Sequence, residues 1–354
     1  MKVALITDQH FGARNDSSIF LDFYEQFYKE VFFKKLVEEG VTKLLILGDT
    51  FDRRKYVNFN TLKRAKEMFF DPLEVYGIET FMLVGNHDTY YKNTNEVNSV
   101  SLLINDYNNI HVIDSPTTID LGEEKVCMIP WICADNYTQC IKEINSTPAS
   151  ICAGHFEIEG FAMYKGLPSQ EGLSRELFNR FEYTFSGHYH HKSTSGDIHY
   201  LGNPYELTWQ DFNDSRGFHI LDLTNRNLAF YRNPYVMFHR ILYDDSTGLI
   251  DGLQTGYDHL KDRYVKVVVI NKTNPYLFDR FMDAIYASEP NDVKIVEDFT
   301  DVTEGLDDDI VNQAEDTLTI LNKYVDGLGE TGIDNNKLKN ILRELYIESV
   351  NSES

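Results

Sequence analysis

Seven side chains able to bind a cation stand just beyond apolar runs of strand length. Asp8 and His10 follow residues 3–7, Asp49 follows 43–47, Asn86 follows 79–84, His155 follows 150–153, and His188 and His190 follow 183–186. Carboxylate, imidazole and amide oxygen make a mixed donor set suited to Mn, Fe or Zn, with no thiolate to enforce Zn. The D-x-H and H-x-H spacings put alternate residues of an extended segment on one side. Seven ligands sharing one carboxylate match two ions about 3.5–4 Å apart, with positions left for water and a phosphate. Asp49 is the candidate bridge. Its run ends abruptly at Gly48-Asp49, at the tip of a buried strand, where open α/β sheets keep their ligands. One Asp at such a tip means little, since turns favour Asp and Gly anyway; the weight lies in five such segments in order.

The elements that must hold these tips alternate in type. Strand 3–7, a helix over 19–39, strand 43–47, a helix over 58–76, strand 79–84, a helix over 96–107 and strands 110–113 and 125–130 spell layered α/β. Short strands at 200–202, 217–223 and 228–231 then follow without helices. They predict a second sheet packed on the first, and with helices outside, a four-layer α-β-β-α sandwich. Phe20, Phe23, Tyr24, Phe27, Tyr28, Phe32 and Phe33 cover more than one helix face, which core packing and a dimer contact would both explain. A boundary falls near Pro234, giving a phosphate-handling domain over 1–234. A small α+β module follows over 235–300, read as β-α-β at 264–270, 275–287 and 293–299. The last part, 301–354, opens on an acidic linker and ends in two helices with apolar stripes, which pack on their own domain or on a partner helix.

Composition bounds the class. At 354 residues a large domain with a smaller appendage is expected. Cys127, Cys133, Cys140 and Cys152 form no C-x-x-C pair and read as reduced core residues of a cytosolic protein. No apolar run is long enough to span a bilayer, and Met1 leads straight into a strand with no signal peptide. The net charge of −23 excludes a protein that holds nucleic acid by its overall electrostatics. Attraction for a phosphate backbone would fall to cations, a partner or local basic groups. Arg53, Arg54, Lys55 and Lys165 are the local candidates, with a solvated loop as the plain alternative.

The motifs resemble those of the calcineurin-like metallophosphoesterases. D-x-H, G-D-x-x-D, G-N-H-D/E, G-H and G-H-x-H stand here as Asp8-Gln9-His10, Gly48-Asp49-Thr50-Phe51-Asp52, Gly85-Asn86-His87-Asp88, Gly154-His155 and Gly187-His188-Tyr189-His190. This resemblance implies one metal on Asp8, His10, Asp49 and His190, a second on Asp49, Asn86, His155 and His188, and His87 as a non-ligand that touches substrate. Further segments are Ile129-Pro130-Trp131, Gly160-Phe161 with Tyr164-Lys165-Gly166, 200–205 and Arg216-Gly217-Phe218. These look like the SbcD-type nuclease subunits of double-strand-break repair, those of T-even-like phages above all.

That narrower resemblance implies a DNA exonuclease and endonuclease subunit with two divalent ions, Mn²⁺ in first place and Mg²⁺ in second. It would work as a homodimer in the cytoplasm, or the host's if viral, with an SbcC-type coiled-coil ATPase on its C-terminal helices. Module 235–300 would be the DNA-binding cap. His87 is expected to bind the phosphate or protonate the leaving 3′-oxygen, with Asp88 orienting its ring and Asp52 supporting a ligand. Capping of the following turn is the alternative for both carboxylates. A phosphoesterase acting on cyclic nucleotides or other small phosphodiesters ranks second, because such enzymes usually lack the cap and tail.

Overall fold

Alternating apolar side chains settle which way each strand faces. In the computed structural model, which describes residues 1–162, 169, 172–246 and 256–297, β1 (Lys2–Ile6) sends Ala4 and Ile6 to one apolar cluster and Val3 and Leu5 to another. β2 (Lys43–Ile46) divides likewise, Leu44 and Ile46 against Leu45. Strands buried on both faces need a layer on each side. Two long helices cover the first face. α1 runs through Ser18–Phe27, a π-helical turn Tyr28–Phe32 and Phe33–Glu39; α2 runs through Phe59–Ala65, a π-helical turn Lys66–Phe70 and Asp71–Val75. Next come β3 (Glu79–Leu83), α3 (Ser99–Leu103), β4 (Ile110–Ile113), β5 (Thr117–Asp120), β6 (Lys125–Ile129) and α4 (Tyr137–Ser146). β7 (Ile151–His155), β8 (Tyr183–Gly187), β9 (Ser193–Ser195), β10 (Ile198–Tyr200), β11 (Gly217–Asp222) and β12 (Leu228–Arg232) complete the body.

Two six-stranded sheets result, ordered β12-β11-β1-β2-β3-β4 and β5-β6-β7-β8-β10-β9. Val3, Leu5, Leu45 and Phe81 of the first meet Val126, Met128, Ile151 and Phe185 of the second. Beyond the second sheet, Cys140 and Ile144 of α4 cover Cys127, Ile129 and Cys152. This is the four-layer α-β-β-α sandwich that the element order predicts. All four cysteines are buried and free. Among the described residues no helix is long and apolar enough to cross a membrane.

Several details depart from the sequence expectations. Segments 217–223 and 228–231 do not join the second sheet: β11 pairs antiparallel with β1, and β12 extends that edge. The strand from Lys125 instead lies in the second sheet beside β7. Turn-linked strands do not announce which edge they will join, because register partners are set by packing. The helix expected over 96–107 shrinks to α3, and α4 had no strong signal because it buries only Cys140 and Ile144. The seven α1 aromatics are all at most 4% exposed. They fill the space against α2 and the sheet, Tyr28 lying 4.8 Å from Phe69, so they offer no dimer surface.

A third sheet holds β13 (Phe238–Asp244), β14 (Tyr264–Asn271) and β15 (Asp292–Val296), all parallel, with α5 (Pro275–Tyr286) before β15. Val265, Val267, Phe281 and Ile285 form its own core. It joins the body where Phe20 packs on Phe238 and Tyr264. There the buried Glu206 carboxylate accepts from the Met237 and Phe238 N–H groups at 2.7 and 2.9 Å. The expected C-terminal helices lie outside the described residues.

Candidate metal centre

β1, β2 and β3 are parallel neighbours, as are β7 and β8, so each set delivers its C-terminal ends together. The two sets meet closely. The His188 N–H donates to both Asp8 carboxylate oxygens at 3.0 and 3.1 Å, and His155 Nδ1 lies 2.7 Å from the Leu47 carbonyl oxygen. No side chain fits in these joints. A Cβ on Gly187 would stand 2.1 Å from Thr7 Oγ1, one on Gly85 2.2 Å from Asp49 N and Oδ1, and one on Gly48 2.5 Å from His155 Nδ1. The glycines ahead of Asp49, Asn86 and His188 are therefore spacing requirements. Asp8, His10, Asp49 and His188 all take a left-handed backbone, with φ of 51°, 45°, 51° and 79°. Such residues cost about 1–3 kcal/mol each and persist only where the surroundings hold them.

The seven candidate ligands converge as two sets. The ligand atoms of Asp8, His10 and His190 lie within 4.8 Å of one another, and so do those of Asp49, His155 and His188. His10 Nε2 and His190 Nε2 are 3.1 Å apart. Asn86 Oδ1 is 2.8 Å from His155 Nε2 and 2.9 Å from His188 Nδ1. Asp49 Oδ2 reaches both sets, 3.3 Å from His155 Nε2 and 3.8 Å from His10 Nε2.

Outer contacts orient the inner nitrogens. His155 Nδ1–H donates to Leu47, leaving Nε2 for a cation. His188 Nε2–H donates to Glu157 Oε1 at 3.0 Å, leaving Nδ1. Charge tells the same story. Burial alone would strip His10 and His155 of their protons, yet the carboxylates of Asp52, Asp49 and Asp8 lift His10 to about 9, and those of Asp49 and Asp8, with the Leu47 carbonyl, lift His155 to about 9. Asp49 stays well below the usual carboxylate range despite its burial, chiefly because His155 and His87 face it. This donor set fits two divalent ions: Asp8, His10, His190 and Asp49 for one, Asp49, Asn86, His155 and His188 for the other.

His87 stands beside the first set, its ligand atom within 4.8 Å of those of His10 and Asp52, and its own contacts set it apart from the seven. Its backbone N–H donates to Asp49 Oδ1 at 2.8 Å, and its Nδ1 lies 2.6 Å from the Asp52 carbonyl oxygen. Burial keeps its imidazole below the ordinary value. Asp88 does not orient that ring, contrary to expectation. Its buried carboxyl accepts from the N–H groups of Gly85 at 2.9 Å, Phe51 at 3.1 Å and Thr50 at 3.1 Å, tying the β2 tip to the β3 tip. The Asp52 backbone oxygen takes the orienting place, while the Asp52 carboxylate lies 3.3 Å from His10 Nδ1.

The basic loop splits three ways. Arg53 is engaged with Asp16 at 3.3 Å, Asn15 at 2.5 Å and the Tyr56 hydroxyl. Arg54 keeps a buried Nη1 without a hydrogen-bond partner among the described residues, within the field of Asp49. Lys55 is exposed, and Lys165 lies outside the described residues. Sequence reasoning missed three supports: Glu157, Arg216 and Tyr205. Arg216 donates to the His190 carbonyl and pairs with Asp211 at 2.7 Å and Asp214 at 3.0 Å. Tyr205 donates to the Gln9 carbonyl at 2.6 Å while stacked on Tyr24. Tyr205 and Arg216 lie in segments that carry the resemblance, but nothing local gives them a bracing role, and Glu157 lies in none of those segments.

Residues 1–192 match the family model described as calcineurin-like phosphoesterase. Exonuclease subunit 1 of Enterobacteria phage T4 is 30% identical over 355 residues, 99% of each chain. The chain belongs to the calcineurin-like phosphoesterases. A second relative, a subunit of the nuclease SbcCD from Staphylococcus epidermidis, is 24% identical over 265 residues, covering 64% of this chain and 67% of its own. As a calcineurin-like phosphoesterase the protein is a metal-dependent hydrolase of phosphate esters, and its buried His and Asp clusters are suited to divalent metal ions.

Proposed function

We propose that this phosphoesterase is a DNA nuclease that hydrolyses phosphodiester bonds at DNA ends in recombination and double-strand-break repair, alongside an ABC-type ATPase. The observation that carries the reading is Asp49 standing between two convergent donor sets. The names of both relatives, an exonuclease subunit and a nuclease subunit, support the substrate. Two bound divalent ions, Mn²⁺ ahead of Mg²⁺, supply Lewis acidity at the phosphate and lower the pKa of water.

The chain's own residues do the rest. Asp49, fixed by the His87 N–H, holds the two ligand sets in one frame. The His87 ring, anchored through Nδ1–H on the Asp52 carbonyl, turns Nε2 to the phosphate and the leaving 3′-oxygen; donating there requires the doubly protonated ring, a form that the Asp49 and Asp52 carboxylates favour against burial. Arg54 offers its unpartnered Nη1 to a non-bridging oxygen.

The small third sheet supports a role as a DNA-binding cap over 235–300. Arg240, Lys266 and Lys294 are direct cross-strand neighbours, paired Arg240↔Lys266 and Lys266↔Lys294. Lys266 lies over the Trp209 ring and Arg240 over Phe212, so the row presents cations beside aromatic surface, a combination that suits a phosphate backbone with its bases. We place the ATPase contact on 301–354 and a homodimer contact away from the α1 aromatics.

The test is cleavage of blunt duplex DNA with Mn²⁺ against Mg²⁺, with and without the ATPase. His87→Ser is expected to retain both metals and lose about 10²–10⁴-fold in rate; equal loss of metal would refute its assignment. Turnover of a chromogenic phosphodiester with none on DNA, even with the ATPase present, would favour the small-phosphodiester reading instead.

A further inference from the structure

Trp131 follows β6 at the end of the second sheet that carries His155 and His188. Its N–H donates to the Val84 carbonyl at 2.8 Å, and its own carbonyl accepts from Asn95 Nδ2 and Asn136 Nδ2, each at 2.9 Å. Both amides are buried, and Val84 leads directly into Gly85-Asn86. The residue is thereby clamped to the strand that delivers a ligand. Its ring centroid lies 5.2 Å from that of His188 and 6.0 Å from that of His155, yet the side chain is only partly buried.

Covering two imidazoles needs no indole; an aliphatic side chain would exclude water there as well. A large flat ring, held rigidly and left partly open beside a phosphate site, is what a nucleobase needs for stacking. The loop that supplies Asn95 also carries Tyr90 and Tyr91, 40% and 52% exposed, with ring centroids 4.7 Å apart.

We propose that Trp131 stacks on an unpaired nucleobase adjacent to the phosphate held at the metal centre. The inference rests on the nuclease reading and assigns a base-stacking residue beside the metal centre.

The experiment uses the full chain carrying Trp209→Phe, which leaves Trp131 as the single tryptophan of the two. With Ca²⁺ in place of Mn²⁺, it is titrated with a thymidine oligonucleotide of about ten residues, a length that fills one single-strand site. An abasic strand with the same phosphates is the comparison. Quenching of Trp131 emission is expected with the base-bearing strand and not with the abasic one. With Mn²⁺, Trp131→Ala is expected to raise KM for the base-bearing strand about tenfold, with a far smaller change in kcat. Trp131→Phe should restore most of that loss, and neither variant should shift KM for the abasic strand. Bound Mn²⁺, measured in each variant, separates a lost metal from lost stacking. Equal quenching by the two strands, or an equal KM shift on both, overturns the proposal and leaves Trp131 as packing for His188. Turnover of a chromogenic phosphodiester with no cleavage of either strand or of blunt duplex DNA, the ATPase present, overturns the nuclease reading itself.

Discussion

Gly85→Ala puts the shared-carboxylate geometry under direct test. The added Cβ would stand 2.2 Å from Asp49 N and Oδ1 and 3.0 Å from Asp49 Cα, against the 3.4 Å at which ordinary contact begins. Something must therefore open by about 1.2 Å at the closest pair. The backbone has little room to yield. β2 and β3 are adjacent with Ile46 opposite Met82, and the Asp88 carboxyl ties Gly85 to Thr50 and Phe51. The Asp49 side chain is the softest element, and it is the proposed bridge. Displacement of a reacting constellation by about 1 Å costs on the order of 100-fold, whereas overpacking of this kind costs about 1–3 kcal/mol of stability. The variant should stay folded by circular dichroism, bind Mn²⁺ much more weakly by calorimetry, and lose about two orders of magnitude in kcat/KM on a chromogenic phosphodiester. An alanine variant with two Mn²⁺ bound at wild-type affinity would refute the spacing argument.

Other perturbations separate roles that motif reading merges. Asp88→Ala leaves the Gly85, Phe51 and Thr50 N–H groups without their acceptor, at about 1–3 kcal/mol for each orphan that stays buried. A large fall in Tm is expected with and without metal; an unchanged Tm with lost kcat would return Asp88 to a catalytic role. Glu206 is pushed up to about 7 by burial, against the two N–H donors that favour its ionised form. A carboxyl raised in the folded state adds stability that is full below its unfolded value near 4.5 and lost as pH rises through about 7. The contribution is about 3 kcal/mol, so Glu206→Gln should flatten the decline in denaturation free energy over that window, and an unaltered slope would contradict the assignment. Replacing Arg240, Lys266 and Lys294 together by Ala should reduce the slope of log K against log salt for DNA by about 2–3. An unchanged slope would remove the row from the interface.

Much of the site was legible before any coordinates. Strand runs ending in Asp, Asn or His announce ligands at strand tips, because the period-2 alternation and abrupt Gly-Asp endings are local facts of the chain. The same holds for the buried faces of β1 and β2, where neighbouring residues divide cleanly between two cores. The layer order followed from helices and strands taking turns.

Local pattern also misled in identifiable places. Asp88 sits beside His87 in sequence and looked like its orienting partner, but backbone direction sends its carboxyl into the β2 turn instead. The α1 aromatics looked abundant enough for an interface, and a helix viewed alone cannot show that α2 and the sheet enclose them. Arg53 read as a free cation, whereas it is held by Asn15 and Asp16. That turn takes a left-handed backbone which no side-chain pattern advertises.

What sequence alone determined is the set of chemically able residues and the elements that end in them, since both depend on nearest neighbours along the chain. Tertiary structure decided which nitrogen of each histidine faces inward, which carboxylate reaches both donor sets, and which distant residues brace them. Glu157 on His188, Leu47 on His155 and Arg216 on His190 act across 31, 108 and 26 positions of chain. Interactions over such separations are chosen by how two sheets pack, and nothing in a local window encodes that choice.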